Sequence, residues 1–335
     1  MTVMIDRARS WEEYKKAWID GMKHLHWFKE ERLFGYSREE ELEELHENFG
    51  KPNSLFLVAR VEEIGRIVGV LGIRRGKWRG GDAGIMRGWE PAVLSEVRDR
   101  GVGEALIRKA LDFLSDLELK KAVFILKYPY DSPETAFWHI NLYRTCGFEQ
   151  RGPRGVTLLA TISRSCSLSA SFPDFIKTVG WENYTLGELA DFILRAYAST
   201  PEDREIHGWD PLVSNRDEIQ NTLRSFSKGE TGFRPECCKV ALVDGKPAGF
   251  IGALIPKWKH RPPAGVLGPV GVFPEHRRRG IACFLIVEIH RVLRKFGCHY
   301  SLVGTPKTNQ KAVRLYKRAG YRPFFEQIEF EKGLI

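Results

Sequence analysis

The run Val272-Phe273-Pro274-Glu275-His276-Arg277-Arg278-Arg279-Gly280-Ile281-Ala282 gathers the residue types that hold a phosphate group. A helix opening leaves backbone N–H groups unpaired and presents the positive end of its dipole. Arg277, Arg278 and Arg279 add charge and Gly280 adds room, a combination suited to a pyrophosphate. Read alone, the run fits a solvated basic turn equally well. A second chemical run lies downstream, from Asn309 through Ala312, Leu315 and Tyr316 to Gly320 and Tyr321. On the residues alone Asn309 there is a helix cap and Tyr316 a core phenol.

The elements that must position these residues follow from pattern. Val270 and Val272 close an apolar segment beginning at Ala264, and Pro274 ends the strand because it has no N–H for a ladder. After Gly280 the apolar residues Ala282, Leu285, Ile289 and Val292 recur at helical spacing, predicting a helix over Gly280–Phe296. A strand Tyr300–Gly304 and a helix Asn309–Ala319 follow, the latter stopped by Gly320. Upstream, Leu186–Ala198 reads as a helix, Ser199–Pro211 as a polar loop and Arg216–Phe226 as a second helix. Strands Val240–Val243 and Phe250–Leu254 flank the hairpin turn at Asp244 to Pro247, and two terminal strands are expected over Phe324–Ile328 and Glu329–Lys332.

The same module occurs twice. Gly69 and Gly249, Gly72 and Gly252, and Trp78 and Trp258 each stand 180 positions apart. The loop Arg98, Arg100, Gly101, Val102, Gly103 repeats the phosphate run at an offset of 179, and Tyr143 repeats Tyr316 at 173. Drifting offsets of this kind are what a duplicated domain with small loop changes leaves. Two domains are expected over 1–165 and 166–335, joined by the serine-rich stretch Ser163–Phe172.

Together the two runs resemble the GNAT (GCN5-related) N-acetyltransferase superfamily. Its cofactor loop, Arg/Gln-x-x-Gly-x-Gly/Ala, is matched by Arg277, Gly280 and Ala282. Its later helix is matched by Asn309, Ala312, Leu315, Tyr316, Gly320 and Tyr321. The resemblance implies an α/β fold, a mixed sheet flanked by helices and made twice, and a cofactor, acetyl-CoA. It further implies direct attack of a primary amine on the thioester within a ternary complex. By that resemblance the turn Arg277, Arg278, Arg279, Gly280, Ile281, Ala282 would hold the pyrophosphate. The backbone of Val270, Gly271 and Val272 would pair with the pantetheine arm and stabilise the oxyanion. Asn309 would orient the cofactor or cap its helix, and Tyr316 would protonate the departing thiolate. A weaker second site would use Arg98, Arg100, Gly101, Val102, Gly103 and Tyr143. The first half departs from the pattern: Ser95 stands where the second has Pro274, and Ala136 and His139 where it has Asn309 and Ala312. The second half is therefore the expected catalyst, and the first a scaffold or a weaker cofactor site.

No ionisable residue lies between Ala264 and Val272, so a general base has to come from elsewhere. Glu202, Asp203, Glu205, His207 and Asp210 are the candidates, with His299 and Tyr300 further ones, and transfer through water is the alternative. A net charge of +9 leaves a nucleic-acid surface open, with Arg74–Arg79 and Lys257–Arg261 as phosphate contacts, but exposed hairpin turns are favoured over that reading. The apolar content of 43% without a long apolar run argues against a membrane span, and no secretory leader is recognised. The six cysteines show no metal-ligand spacing and read as reduced thiols in a cytoplasmic protein, Cys146 and Cys283 packed in helices. Glu43 and His46 read as a solvated helix face. Besides amine acetylation of a small metabolite, two alternatives stay open: action on protein N-termini or lysines, and non-catalytic acyl-CoA binding.

Overall fold

The protein is described from a computed structural model, covering residues 2–23, 38–62, 65–78, 81–86, 90–162, 175–227, 232–259 and 261–334. The expected linker, with Cys166 in it, lies outside the described residues, as do Arg79 and His260. Two compact units divide the chain: Met1–Arg151 with Glu326–Ile335, and Gly152–Phe325. This partition departs from 1–165 and 166–335 at the last strand of each half. Gly155–Thr161 counts with the second unit, and residues from Glu326 on count with the first.

In the second unit the strands lie in the order Gly155–Thr161, Tyr300–Pro306, Ala264–Val272, Lys246–Leu254, Phe233–Val243, Ile176–Gly180. All neighbours are antiparallel except Ala264–Val272 beside Tyr300–Pro306, which is parallel. Successive residues of the central strands go to opposite faces. Cys237, Ala241 and Ile251 pack under the helix Ile281–Lys295, while Cys238, Val240 and Phe250 pack under the helix Leu186–Tyr197. Burial on both faces explains why these strands read as continuous apolar runs. Gly265 sits beneath Leu293, whose side chain would lie 2.3 Å from a Cβ there, so the helix packs close only because the residue is glycine.

Local corrections to the pattern reading have physical causes. The stretch Ser199–Pro211 is not a loop: Thr200 caps a helix Pro201–His207 by accepting from the Asp203 N–H at 3.1 Å. Proline at the first helical position fits there because its missing N–H is one the helix leaves unpaired. The two expected terminal strands are one, Arg322–Gly333, with no turn residue to divide it. Cys146 follows its helix rather than sitting in it, whereas Cys283 lies within Ile281–Lys295.

In the first unit the order is Val3–Arg7, Ser54–Val61, Ile67–Trp78, Gly81–Met86, Lys121–Pro129 and the end of Arg322–Gly333. Gly81–Met86 and Lys121–Pro129 are the parallel pair, and Gly84 lies beneath Leu114 as Gly265 lies beneath Leu293. Arg75 and Lys77 occupy a strand and pair with Asp82 at 2.8 and 2.7 Å, a hairpin rather than a free basic surface. His46 stacks on Trp11 with centroids 4.7 Å apart. Among the described residues no cluster could hold a metal ion, and no helix is long and apolar enough to cross a membrane.

Glu90 is a buried carboxyl of this unit. It is 1% exposed, accepts from the Tyr14 hydroxyl at 2.7 Å and from the Gly72 N–H at 2.8 Å. Burial pushes its carboxyl up to about 8, against hydrogen bonds that pull the other way. The folded state therefore keeps a proton that the unfolded chain sheds above about pH 4.5, so the contribution of Glu90 worsens as pH rises from there to about 8. Glu90→Gln retains the acceptor for Gly72 and removes the titration. Calorimetric unfolding should show the variant more stable than the parent at pH 8 by several degrees and nearly equal at pH 4.5. A variant that loses stability equally at both pH values would contradict the neutral-acid assignment.

Candidate active site

The site is built where the parallel pair of the second unit parts. Ala264–Val272 and Tyr300–Pro306 stay in register from Ala264↔Tyr300 to Leu267↔Val303 and then separate. Gly304, Thr305 and Pro306 go on pairing with Thr157, Val156 and Gly155. Residues Gly268 to Val272 stay only with Lys246–Leu254, after a register shift at the cis bond Gly268–Pro269. A strand edge is thus left facing space, and cavities of about 420 and 450 Å³ open along it.

The 450 Å³ cavity runs over the start of the helix Ile281–Lys295. Gly280 caps that helix in the left-handed region at φ 81°, without a side-chain cap. The N–H groups of the first turn accordingly have no partner within the helix, since Phe284 is the first to bond back, to Gly280. A Cβ at Gly280 would meet nothing within 4 Å, so the space over this turn is open. Arg278, itself at φ 64°, lines the cavity with Lys311, Arg314 and Arg318. Open N–H groups, a dipole end and this basic rim fit a pyrophosphate. Ile281 is buried beneath the turn, and Ala282 lines the cavity wall. Arg279 instead lies against His276 at 3.2 Å and over the Phe175 ring.

Arg277 lines the 450 Å³ cavity too, with its side chain engaged by protein groups. Its Nε donates to the Val272 carbonyl at 3.1 Å, and its guanidinium also reaches the Ala196 carbonyl at 2.9 Å and Asp203 at 3.0 Å. It clamps the strand end to the neighbouring helices while its backbone N–H bonds Pro274. Val270 is likewise engaged: its N–H donates to the Tyr197 hydroxyl at 3.0 Å, and that hydroxyl donates to its carbonyl at 2.5 Å. Burial raises the Tyr197 phenol to about 12, so the hydroxyl keeps its proton. Gly271 and Val272 pair with Phe250 and Gly249 on the far side of the strand and line the 450 Å³ cavity. The role of Tyr197 had no sequence signal beyond its place on an apolar helix face.

Tyr316 lines both cavities and is 5% exposed. Burial, with Tyr197 and Tyr321 nearby, holds its phenol well above 10, and among the described residues nothing hydrogen-bonds its hydroxyl. Asn309 caps its own helix, accepting from the Ala312 N–H at 3.1 Å, and its Nδ2 lies 3.4 Å from His207 Nε2. Of the seven base candidates His207 alone lines both cavities. Burial lowers its pKa below 6.5, leaving a neutral imidazole at pH 7. Asp203 is spent on Arg277 and Glu202 pairs with Lys311 at 2.5 Å. Asp210 lines the 420 Å³ cavity only, and Glu205, His299 and Tyr300 line neither.

The first unit copies the scaffold, and a Cβ at Gly101 would meet nothing within 4 Å, as at Gly280, but the residues beside the turn are bulkier. Arg98 Nε donates to the Val93 carbonyl at 3.3 Å, as Arg277 does to Val272, and Gly101 caps its helix at φ 76°. Val102 is buried like Ile281, and Arg100 closes the turn through its N–H to Val97. A Cβ on Gly103, however, would lie 2.8 Å from Leu142 and 3.2 Å from Trp138, where Ala282 faces a cavity. Trp138 also covers Arg98, at 4.8 Å from the ring centre. Tyr143 is fully buried between Phe124 and Phe330, and its hydroxyl donates to the Glu90 carbonyl.

The model of the acetyltransferase (GNAT) family matches residues 19–148 and 200–321. The chain belongs to the GNAT acetyltransferase family. Two matches place one GNAT domain in each half, as the repeat implied. Among solved structures, a tandem GNAT protein from the clavulanic acid biosynthesis pathway aligns at 17% identity and a TM-score of 0.53, covering 100% of this chain and 99% of its own. A GCN5-related N-acetyltransferase from Sphaerobacter thermophilus aligns at 16% and 0.59, covering 99% and 96%. A glucosamine N-acetyltransferase region of a fungal multi-domain β-N-acetylglucosaminidase aligns at 15% and 0.60, over 98% of this chain and 38% of the other. At such identities the likeness is one of fold. No curated protein matches the GNAT chain by sequence.

Gly280→Gln tests the anion seat. A side chain at positive φ is strained by about 1–2 kcal/mol and also fills the open space over the turn. Calorimetry should find acetyl-CoA affinity down more than tenfold, with the unfolding temperature lowered only a few degrees. Unchanged affinity would remove the pyrophosphate from this turn.

Proposed function

We propose that the second unit transfers an acetyl group from acetyl-CoA to a primary amine, and that the first unit is its scaffold. The observation that carries this reading is Tyr316, a protonated phenol at the junction of two cavities that meet along a parted strand edge. Arg278, Gly280, Ile281 and Ala282 hold the pyrophosphate, and the edge at Val270 to Val272 receives the pantetheine arm. Bound acetyl-CoA supplies the acetyl thioester, whose C–S bond breaks as the amine's C–N bond forms.

His207 Nε2 takes one proton from the ammonium, releasing the lone pair that attacks. The lone pair of His207 Nε2 faces the Asn309 Nδ2 at 3.4 Å and is free for the proton once the amide turns away. The Val270 N–H, once freed from Tyr197, is placed to meet the developing oxyanion. Tyr316 gives its hydroxyl proton to the thiolate, and the attacking nitrogen's second proton restores it. Of the ammonium's three protons, one thus leaves through His207, one ends on Tyr316 in place of the proton given to the thiol, and one stays on the amide.

Tyr316→Phe should cut kcat by roughly 10²–10⁴ with acetyl-CoA affinity little changed. Tyr143→Phe should lower stability through its lost bond to Glu90 and leave kcat near that of the parent. A slower Tyr143→Phe enzyme would place the catalyst in the first unit.

His207 works only when neutral, so its contribution is present above its pKa and lost as pH falls through a value below 6.5. kcat/KM at saturating acetyl-CoA should show that acid limb in the parent, and His207→Ala should lose the limb together with about 10²-fold in rate. An unaltered profile in the variant would reassign the base.

A further inference from the structure

The 420 Å³ cavity has a polar end and an apolar body. Its polar end is the junction with the other cavity, where His207, Asn309 and Tyr316 sit. Its body is walled by Trp209, Leu212, Val213, Leu223, Phe226 and Val266. Among the described residues no lysine or arginine lines it, and Asp210 is its single carboxylate. Such a wall repels a substrate acid for want of a cation. It equally lacks the further carboxylates a polyamine needs and the many donors and acceptors a sugar or peptide backbone needs, since unpaired polar groups are costly to bury. The volume lies in the range of small-ligand sites.

We infer that the acceptor is a monoamine carried on an apolar body, an alkylamine or arylalkylamine of roughly six to ten heavy atoms, with its amine at His207 and its body against Trp209 and Phe226. This rests on the acetyl-transfer reading above and narrows it. The recognition is hydrophobic, so affinity scales with buried hydrocarbon, at about fourfold per methylene.

The test uses the full chain with acetyl-CoA and follows thiol release with n-butylamine, n-hexylamine, n-octylamine, 2-phenylethylamine, spermidine, glucosamine and an N-terminally free peptide. The expected result is a kcat/KM that climbs about fourfold per methylene along the alkyl series until the cavity is full. Spermidine, glucosamine and the peptide should fall at least tenfold below hexylamine. Leu212→Glu, at a half-buried wall position, should lower octylamine at least tenfold and raise spermidine, with acetyl-CoA affinity by calorimetry unchanged. Calorimetric titration with octylamine in the presence of CoA should show a negative heat-capacity change. A flat alkyl series, or preference for the polyamine, sugar or peptide, overturns the apolar acceptor while leaving acetyl transfer standing. Binding of acetyl-CoA with no turnover of any amine overturns both.

Discussion

The parting of two parallel strands after Leu267 and Val303 is the constraint on which the layout of the second unit's two cavities hangs. A strand edge has to satisfy its N–H and C=O groups with something, and here the usual partner has moved away. The cis bond at Gly268–Pro269 and the register shift beside it fall at the point of parting. The candidate site is then arrayed along the gap: the open helix turn at one end, the apolar cavity at the other, and Tyr316 and His207 between. Arg277 holds the geometry by tying the end of the parted strand to helix Leu186–Tyr197 and, through Asp203, to helix Pro201–His207.

Duplication copied that frame more faithfully than its contents. Each unit has a glycine under a helix leucine, an arginine reaching back five residues to a strand carbonyl and a left-handed glycine opening a helix. These features set the close packing of helix on sheet and the turn into the helix in both units. The contents diverge through bulk: Trp138 and Leu142 pack against Gly103, while the wall at Ala282 borders open space. Loss of a cavity takes only one large side chain, whereas loss of the frame would take the fold with it.

Much of this was legible in the chain. Period and punctuation located the helix Leu186–Tyr197 to one residue at its end and the helix Ile281–Lys295 to one residue at each end, because caps and apolar spacing are local properties. The repeat was visible because glycines that permit close packing tolerate no substitute. What stayed hidden depends on distant partners. Arg277 has the same letters whether it binds phosphate or three protein groups, and only the fold brings Ala196 and Asp203 beside it. His207 stood as one of seven candidates until the fold placed it on both cavities. Thr200 and Pro201 were a readable helix start, passed over because the stretch around them is polar.

Tyr197 gives the parted strand a further consequence, one of colloidal behaviour. A bare strand edge is a template on which any extended segment, from another copy or another protein, can add itself. With both polar groups of Val270 occupied by a phenol, that template is interrupted at its midpoint by a group that cannot be extended into a ladder. The hydroxyl thus acts as a guard against strand addition.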